Sequence, residues 1–179
     1  MSFHIQRIEA WRTAIPMHEP FRISSGAVHE KEAIVVRLWD GDAFGWGESS
    51  AMAGPFYSVD TPDSCQAQLV NEVLPALHGK SFASIAELEA FLDARPMSPF
   101  VRAAIEPAAV ELLARKKGIS VRQLLNLPER PIGSGLAVGL YDSPEELCAA
   151  IERYRGRDYK RVKIKIKRGH DVELVKAVR

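Results

Sequence analysis

Val162-Lys163-Ile164-Lys165-Ile166-Lys167, residues 162–167, is the stretch that decides how this chain folds. In an extended strand successive side chains alternate, so Val162, Ile164 and Ile166 share one face and the three lysines share the other. Upstream, GLAVGLY at 135–141 reads as a second apolar strand, and Asp142-Ser143-Pro144 with Glu145 and Glu146 reads as the start of a helix between the two. Strand, helix and strand make one βαβ unit, whose strands run parallel and need helices over them; Asp171 onward reads as the next covering helix. The lysines then point away from those helices. Buried ammonium groups are costly unless paired or employed, so the pattern asks for a reason. One reason is chemical: like charges and partial burial both disfavour the ammonium form, lower a lysine pKa from about 10.4, and so make a base. The competing reason is an edge strand whose solvated lysine face discourages aggregation.

Working outward, FHIQRIEAWRTAIP at 3–16 reads as a strand with a bulge. EAIVVRLWDGDAFGWGE at 32–48 reads as a hairpin turning at Asp40-Gly41-Asp42, so the first third is an antiparallel meander. From about Thr61 the period becomes helical, with Leu69, Val73, Leu74 and Leu77 after a Thr-Pro-Asp start. A second helix is expected at about 84–94. A third at 101–118 carries the stripe Val101, Ala104, Ile105, Ala108, Leu112 and Leu113, with Lys116-Lys117-Gly118 as its stop and Pro107 predicting a kink or a late start. Residues 16–30 and 48–60 read as long loops. Their apolar residues Phe21, Met52, Phe56 and Tyr57 either pack onto their own domain or contact a ligand. Glu48, at a strand end, reads as structural.

The 179 residues are 46% hydrophobic and 26% charged, which excludes a disordered or collagen-like chain. No apolar run approaches the roughly 18 residues of a membrane helix, and MSFHIQRIEA lacks the features of a signal peptide, so a soluble, cytoplasmic protein is expected. Cys65 and Cys148 show no CxxC spacing and read as buried thiols; His4, His18, His29, His78 and His170 show no metal-binding spacing. The net charge of +1 hides a division, because residues 151–179 hold 11 Lys or Arg against 4 Asp or Glu. That segment suits a non-catalytic module for nucleic acid or another polyanion, but lysines alternating with Ile fit a half-buried strand and no aromatic stacking partner is interleaved. The Gly133–Gly139 glycines have the wrong spacing for a dinucleotide loop.

Four blocks in order, GWGESSAMAGPFYS at 45–58, VRAAIEPAAVELLARKKG at 101–118, GLAVGLYDSPEEL at 135–147 and VKIKIKRGHD at 162–171, resemble the o-succinylbenzoate synthases and N-acylamino acid racemases. These belong to the muconate-lactonising subgroup of the enolase superfamily. The resemblance implies an α+β capping domain of antiparallel meander and helices over 1–130, then, over 131–179, the first strands and helices of a (β/α) barrel of TIM type, incomplete. Barrel sites lie at the C-terminal ends of strands. By the family pattern Lys165 is the acid/base, Lys163 tunes it or helps bind, and Phe21, Ser25, Met52 and Tyr57 map onto substrate-contacting loops. The implied reaction removes a proton alpha to a carboxylate, as in the dehydration that the synthases carry out in menaquinone biosynthesis; enolase-superfamily sites pair a Lys or His base with Mg²⁺. The family's Mg²⁺ ligands and the opposing lysine a racemase needs fall beyond residue 179, so no metal ligand is assigned and the chain alone is expected to catalyse nothing. The expected partner is a small carboxylate substrate, with no nucleic acid or membrane, and homo-oligomer formation left open. Other muconate-cycloisomerase-like chemistry is the alternative within the family. Ala137 and Arg168 depart from frequent family residues, which bears on substrate identity.

Overall fold

The computed structural model describes residues 2–23, 25–54 and 57–179. Alternating β-branched and aromatic residues build β1 (Phe3–His4), β2 (Arg7–Ile23), β3 (Gly26–Asp40) and β4 (Ala43–Ser49), the last three forming an antiparallel sheet in the order β2-β3-β4. The β3–β4 register pairs Arg37 with Trp46 and Trp39 with Phe44, closing at Asp40↔Ala43. Gly41 takes φ of 58°, the left-handed value that a two-residue turn needs and a β-carbon resists. Residues 16–30 were expected as a loop, and there the described residues bring a correction: Pro16–Ile23 extends β2 and Gly26–Glu30 extends β3. Main-chain pairing tolerates the polar, proline-containing composition that obscured the alternation.

The helices follow their caps. Thr61 and Ser64 form a reciprocal capping box before α1 (Pro62–Gln68), which widens into a π-helical turn (Leu69–Val73) ahead of α2 (Leu74–Leu77). Pro75 lacks an N–H and its ring crowds the preceding turn, which is where the helix widens. A short β5 (Ser81–Phe82) pairs antiparallel with β1. Ser84 caps α3 (Ile85–Asp93), and Ser98 caps α4 (Pro99–Lys116). Helix α4 neither starts late nor stops at Pro107: Pro107 and Ala103 are both exposed, so the carbonyl the proline leaves unbonded faces water. Ser120 caps α5 (Val121–Leu124), a turn with no sequence expectation behind it.

The chain divides into two compact units. The first comprises the residues up to Ile15 together with Lys31–Glu129; the second comprises Pro16–Glu30 and Arg130–Arg179. In the first, Ile34, Val36 and Leu38 of β3 join Leu69, Leu77, Leu88, Leu92, Val101, Ile105 and Leu112 in one buried core. Gly45 and Gly47 face α4 so closely that the backbone of Ala104 and Ala108 lies against the strand. On the opposite face of the sheet, the Arg37 guanidinium sits 4.5 Å from the Trp39 ring and 4.7 Å from the Trp46 ring, while Glu9 accepts from its Nε at 2.7 Å. Cys65 is buried as expected; Cys148 is only half-buried, because on the helix Pro144–Glu152 it lies beside the apolar stripe rather than in it. Among the described residues no helix is long and apolar enough to cross a membrane.

Two carboxylates in this unit set a pH dependence. Burial pushes the Asp40 carboxyl up, but its hydrogen bond from Lys116, the bond from the His4 N–H at 2.8 Å and the Lys116 charge outweigh it and hold it below the usual value. Burial likewise pushes up Glu111, and Arg115 with the Trp46 N–H at 2.7 Å outweigh it. A carboxylate depressed in the folded state contributes stability that is present above its unfolded pKa and is lost as pH falls through the folded one. The urea midpoint is therefore expected to hold above about pH 5 and to fall on acidification. Asp40→Asn is expected to flatten that dependence; an unchanged acid limb in the variant would exclude Asp40 as a cause.

In the second unit, β6 (Gly135–Ala137) and β7 (Arg161–Lys163) pair parallel, with Leu136↔Val162 in register. Ser143 caps α6 (Pro144–Glu152) by accepting from the Glu146 N–H at 3.2 Å, and α7 (Asp171–Val178) follows β7. Val138, Leu147, Ala150 and Leu174 are its buried core, with Ile164 packed against them. Both strands are shorter than expected.

Candidate active site

Lys163 ends β7, and its carbonyl accepts the Val138 N–H at 2.8 Å, which extends the parallel pairing by one residue. Ile164 turns into the apolar cluster beneath α6 and α7, and the next residue, Lys165, lies two positions past the strand end. Lys165 is half-buried, and its Nζ sits 5.9 Å from the centroid of the Phe21 ring. An ammonium over an aromatic face at that range gains about 0.5–1 kcal/mol. Lys163 and Lys167 are exposed. The expected clean division of this segment is only half realised: Ile164 is covered, but Val162 and Ile166 are 39% and 48% exposed. Among the described residues β7 has a strand neighbour on one side only, and Val162 and Ile166 stay partly exposed.

Phe21 reaches Lys165 because the tip of the β2–β3 hairpin is tied down within the second unit. The Leu140 N–H donates to the Arg22 carbonyl at 2.9 Å. The Arg22 guanidinium donates to both carboxylate oxygens of Asp142, at 2.7 and 3.1 Å. On the other side of Phe21, Glu19 accepts from the Tyr141 hydroxyl at 3.1 Å and from Arg153 Nη2 at 3.2 Å. Arg22's hydrogen bonds and charge hold Asp142 below the usual carboxylate range, while burial and then the Glu19 bond push the Tyr141 phenol up. Ser25 is exposed in the hairpin turn. Arg22, Glu19, Tyr141, Asp142 and Arg153 were not foreseen as a group. Partners 120 and 134 positions apart leave no spacing to find.

Met52 and Tyr57 belong to the first unit, Met52 half-buried and Tyr57 63% exposed, in the stretch after β4; Phe56 lies outside the described residues. A surface groove of about 610 Å³ in that unit is lined by Val35, Trp46, Gly47, Glu48, Ala103 and Pro107, none of them a candidate site residue. Among the described residues no group of three or more His, Cys, Asp or Glu is placed to hold a metal ion, so the side chains present do not fit a Mg²⁺ site.

An antiparallel meander backed by helices, followed by a parallel β-α-β-α segment with a KxK at a strand end, defines a class that comparison with known proteins makes explicit. Residues 7–126 match the family model described as mandelate racemase / muconate lactonizing enzyme, N-terminal domain, and the chain belongs to that family, within the enolase superfamily. Among individual proteins it is similar to the o-succinylbenzoate synthase of Bacillus subtilis, at 31% identity over 98% of this chain and 47% of that protein. It is also similar to the N-succinylamino acid racemase of Amycolatopsis sp, at 30% identity over 96% of this chain and 47% of that protein. A solved enolase-superfamily member from Listeria innocua superposes with a TM-score of 0.88 at 25% identity, over 99% of this chain and 48% of that one. The chain thus spans about half the length of the relatives it matches.

Proposed function

We propose that residues 1–179 supply the capping part, and the strand bearing the first catalytic lysines, of an o-succinylbenzoate synthase-like lyase. The observation that carries the reading is the position of Lys165: half-buried past the end of a parallel strand, beneath an aromatic ring, in a chain whose relatives include synthases at 31% and 32% identity. In this reading β6 and β7 are the first two strands of a (β/α) barrel. Lys165 takes the proton alpha to the substrate carboxylate and then assists departure of the hydroxyl, balancing the proton removed against the water lost. Lys163 supports it by charge. Phe21 and Ser25 on the hairpin tip contact a small carboxylate substrate, and Met52 and Tyr57 after β4 are further candidate substrate contacts in this reading.

The groups that hold the enolate, Mg²⁺ ligands among them, come from outside residues 1–179 in this proposal. The same half-site serves racemisation if a second base stands on the opposite face of the substrate, and a racemase relative at 30% identity keeps that arm in the test. The experiment joins residues 1–179 to the second half of the Bacillus subtilis synthase and assays the product, with Mg²⁺ in the buffer, for dehydration of the synthase substrate and for racemisation of N-succinylamino acids. Dehydration is expected to dominate, and residues 1–179 by themselves are expected to show neither activity. A fusion that racemises without dehydrating would reassign the reaction, and a folded fusion with neither activity would remove the proposal.

A further inference from the structure

We propose that the Arg22–Asp142 and Glu19–Arg153 pairs form a latch that keeps the hairpin tip over Lys165, making Arg22 and Glu19 positioning residues for that lysine. Its catalytic meaning rests on the role proposed for Lys165; its geometry does not.

Three observations point the same way. Residues Pro16–Glu30 group with residues 130–179 rather than with the remainder of their own two strands, so the tip takes its position from the second unit. The anchors flank Phe21 closely: Glu19 lies two residues before it and Arg22 one after, with the Arg22 carbonyl itself bonded to the Leu140 N–H at 2.9 Å. Finally, the pairs are too exposed to matter much for stability. Their side chains are 45% and 72% exposed for Arg22–Asp142, and 58% and 51% for Arg153–Glu19. Exposed pairs contribute about 0–1 kcal/mol each. Two of them, one bidentate and one shared with the Tyr141 hydroxyl, closing spans of 120 and 134 residues onto one aromatic residue, specify geometry more than they add stability. The consequence is local: Phe21 covers Lys165 while the latch is closed and uncovers it when the latch opens.

The test uses the 179-residue chain and needs no turnover. Acylation of Lys165 by a small amine-reactive ester is followed by mass spectrometry between about pH 7 and 10, with exposed Lys80 as the internal reference. Deuterium uptake over residues 19–23 is measured in parallel. Arg22→Ala or Glu19→Gln is expected to speed Lys165 acylation by about threefold, the equivalent of one exposed pair. Each variant is also expected to raise deuterium uptake at the tip and leave Lys80 unchanged. Exchanging the charges, Arg22→Asp with Asp142→Arg, is expected to restore the original Lys165 acylation rate, which a merely stabilising role would not require. Phe21→Ala is expected to speed Lys165 acylation without raising uptake at the tip. Single variants with unchanged Lys165 acylation rates, or an exchanged pair that fails to restore the original rate, would overturn the latch; inactivity of the synthase fusion would overturn only the function proposed for Lys165.

Discussion

Lys165→Ala in the fusion of residues 1–179 with the second half of the Bacillus subtilis synthase is expected to lower kcat for dehydration by about 10²–10⁴-fold, the usual worth of a positioned general acid or base. That is about 2.7–5.5 kcal/mol of barrier, with KM changing far less, because the lost interaction belongs to proton transfer rather than to ground-state binding. Lys163→Ala is expected to cost less, since Lys163 is exposed and acts only through its charge in this reading. The geometry makes the contrast specific: Lys165 alone of the two sits against the Phe21 ring. A Lys165→Ala fusion that keeps more than about a tenth of the original kcat would exclude it as the base.

Gly47→Val is expected to produce the largest loss of stability. A β-carbon at Gly47 would meet the Ala104 carbonyl oxygen at 2.1 Å, and one at Gly45 would meet the Ala108 oxygen at 2.0 Å and the Leu112 nitrogen at 2.5 Å. All are backbone atoms of α4, so no rotamer change relieves the clash, and the helix must retreat from β4. Overpacking costs about 1–3 kcal/mol where side chains can adjust and more where they cannot. With about 5–15 kcal/mol holding a typical domain, a loss of about 3 kcal/mol or more is a large fraction. Urea unfolding measures it directly; a midpoint equal to that of the unaltered chain would show that α4 does not lie where described. Neither glycine has a positive φ, so the requirement is for space and not for backbone freedom.

How much of this was legible beforehand varies by element. The 32–48 hairpin, the three helices after Thr61 and the strand-helix-strand order after Pro131 could be read because each carries its own period or cap within a few residues. The turn at Gly41, the Ser143 cap and the stop at Gly118, which has φ of 64°, are local devices with local signatures. Pro16–Ile23 and Gly26–Glu30 were misread because strand pairing there is main-chain bonding, and Pro16, Pro20 and the charged residues around them show no alternation. At Pro107 the late start that the sequence allowed does not occur: α4 runs from Pro99 to Lys116 with Pro107 on an exposed face, which only the packing reveals.

The sequence by itself determined most of the elements and their order, the membership of the family and the pair of lysines at or just past a strand end, because periodicity, capping and motif spacing are properties of neighbouring residues. It could not show that Gly45 and Gly47 make room for a helix backbone, or that Arg22 meets Asp142 across 120 positions. Those were decided by tertiary structure alone. Whether two surfaces touch depends on where distant segments of the chain arrive in space, and an ion pair or a close backbone approach leaves no period in the residues that make it.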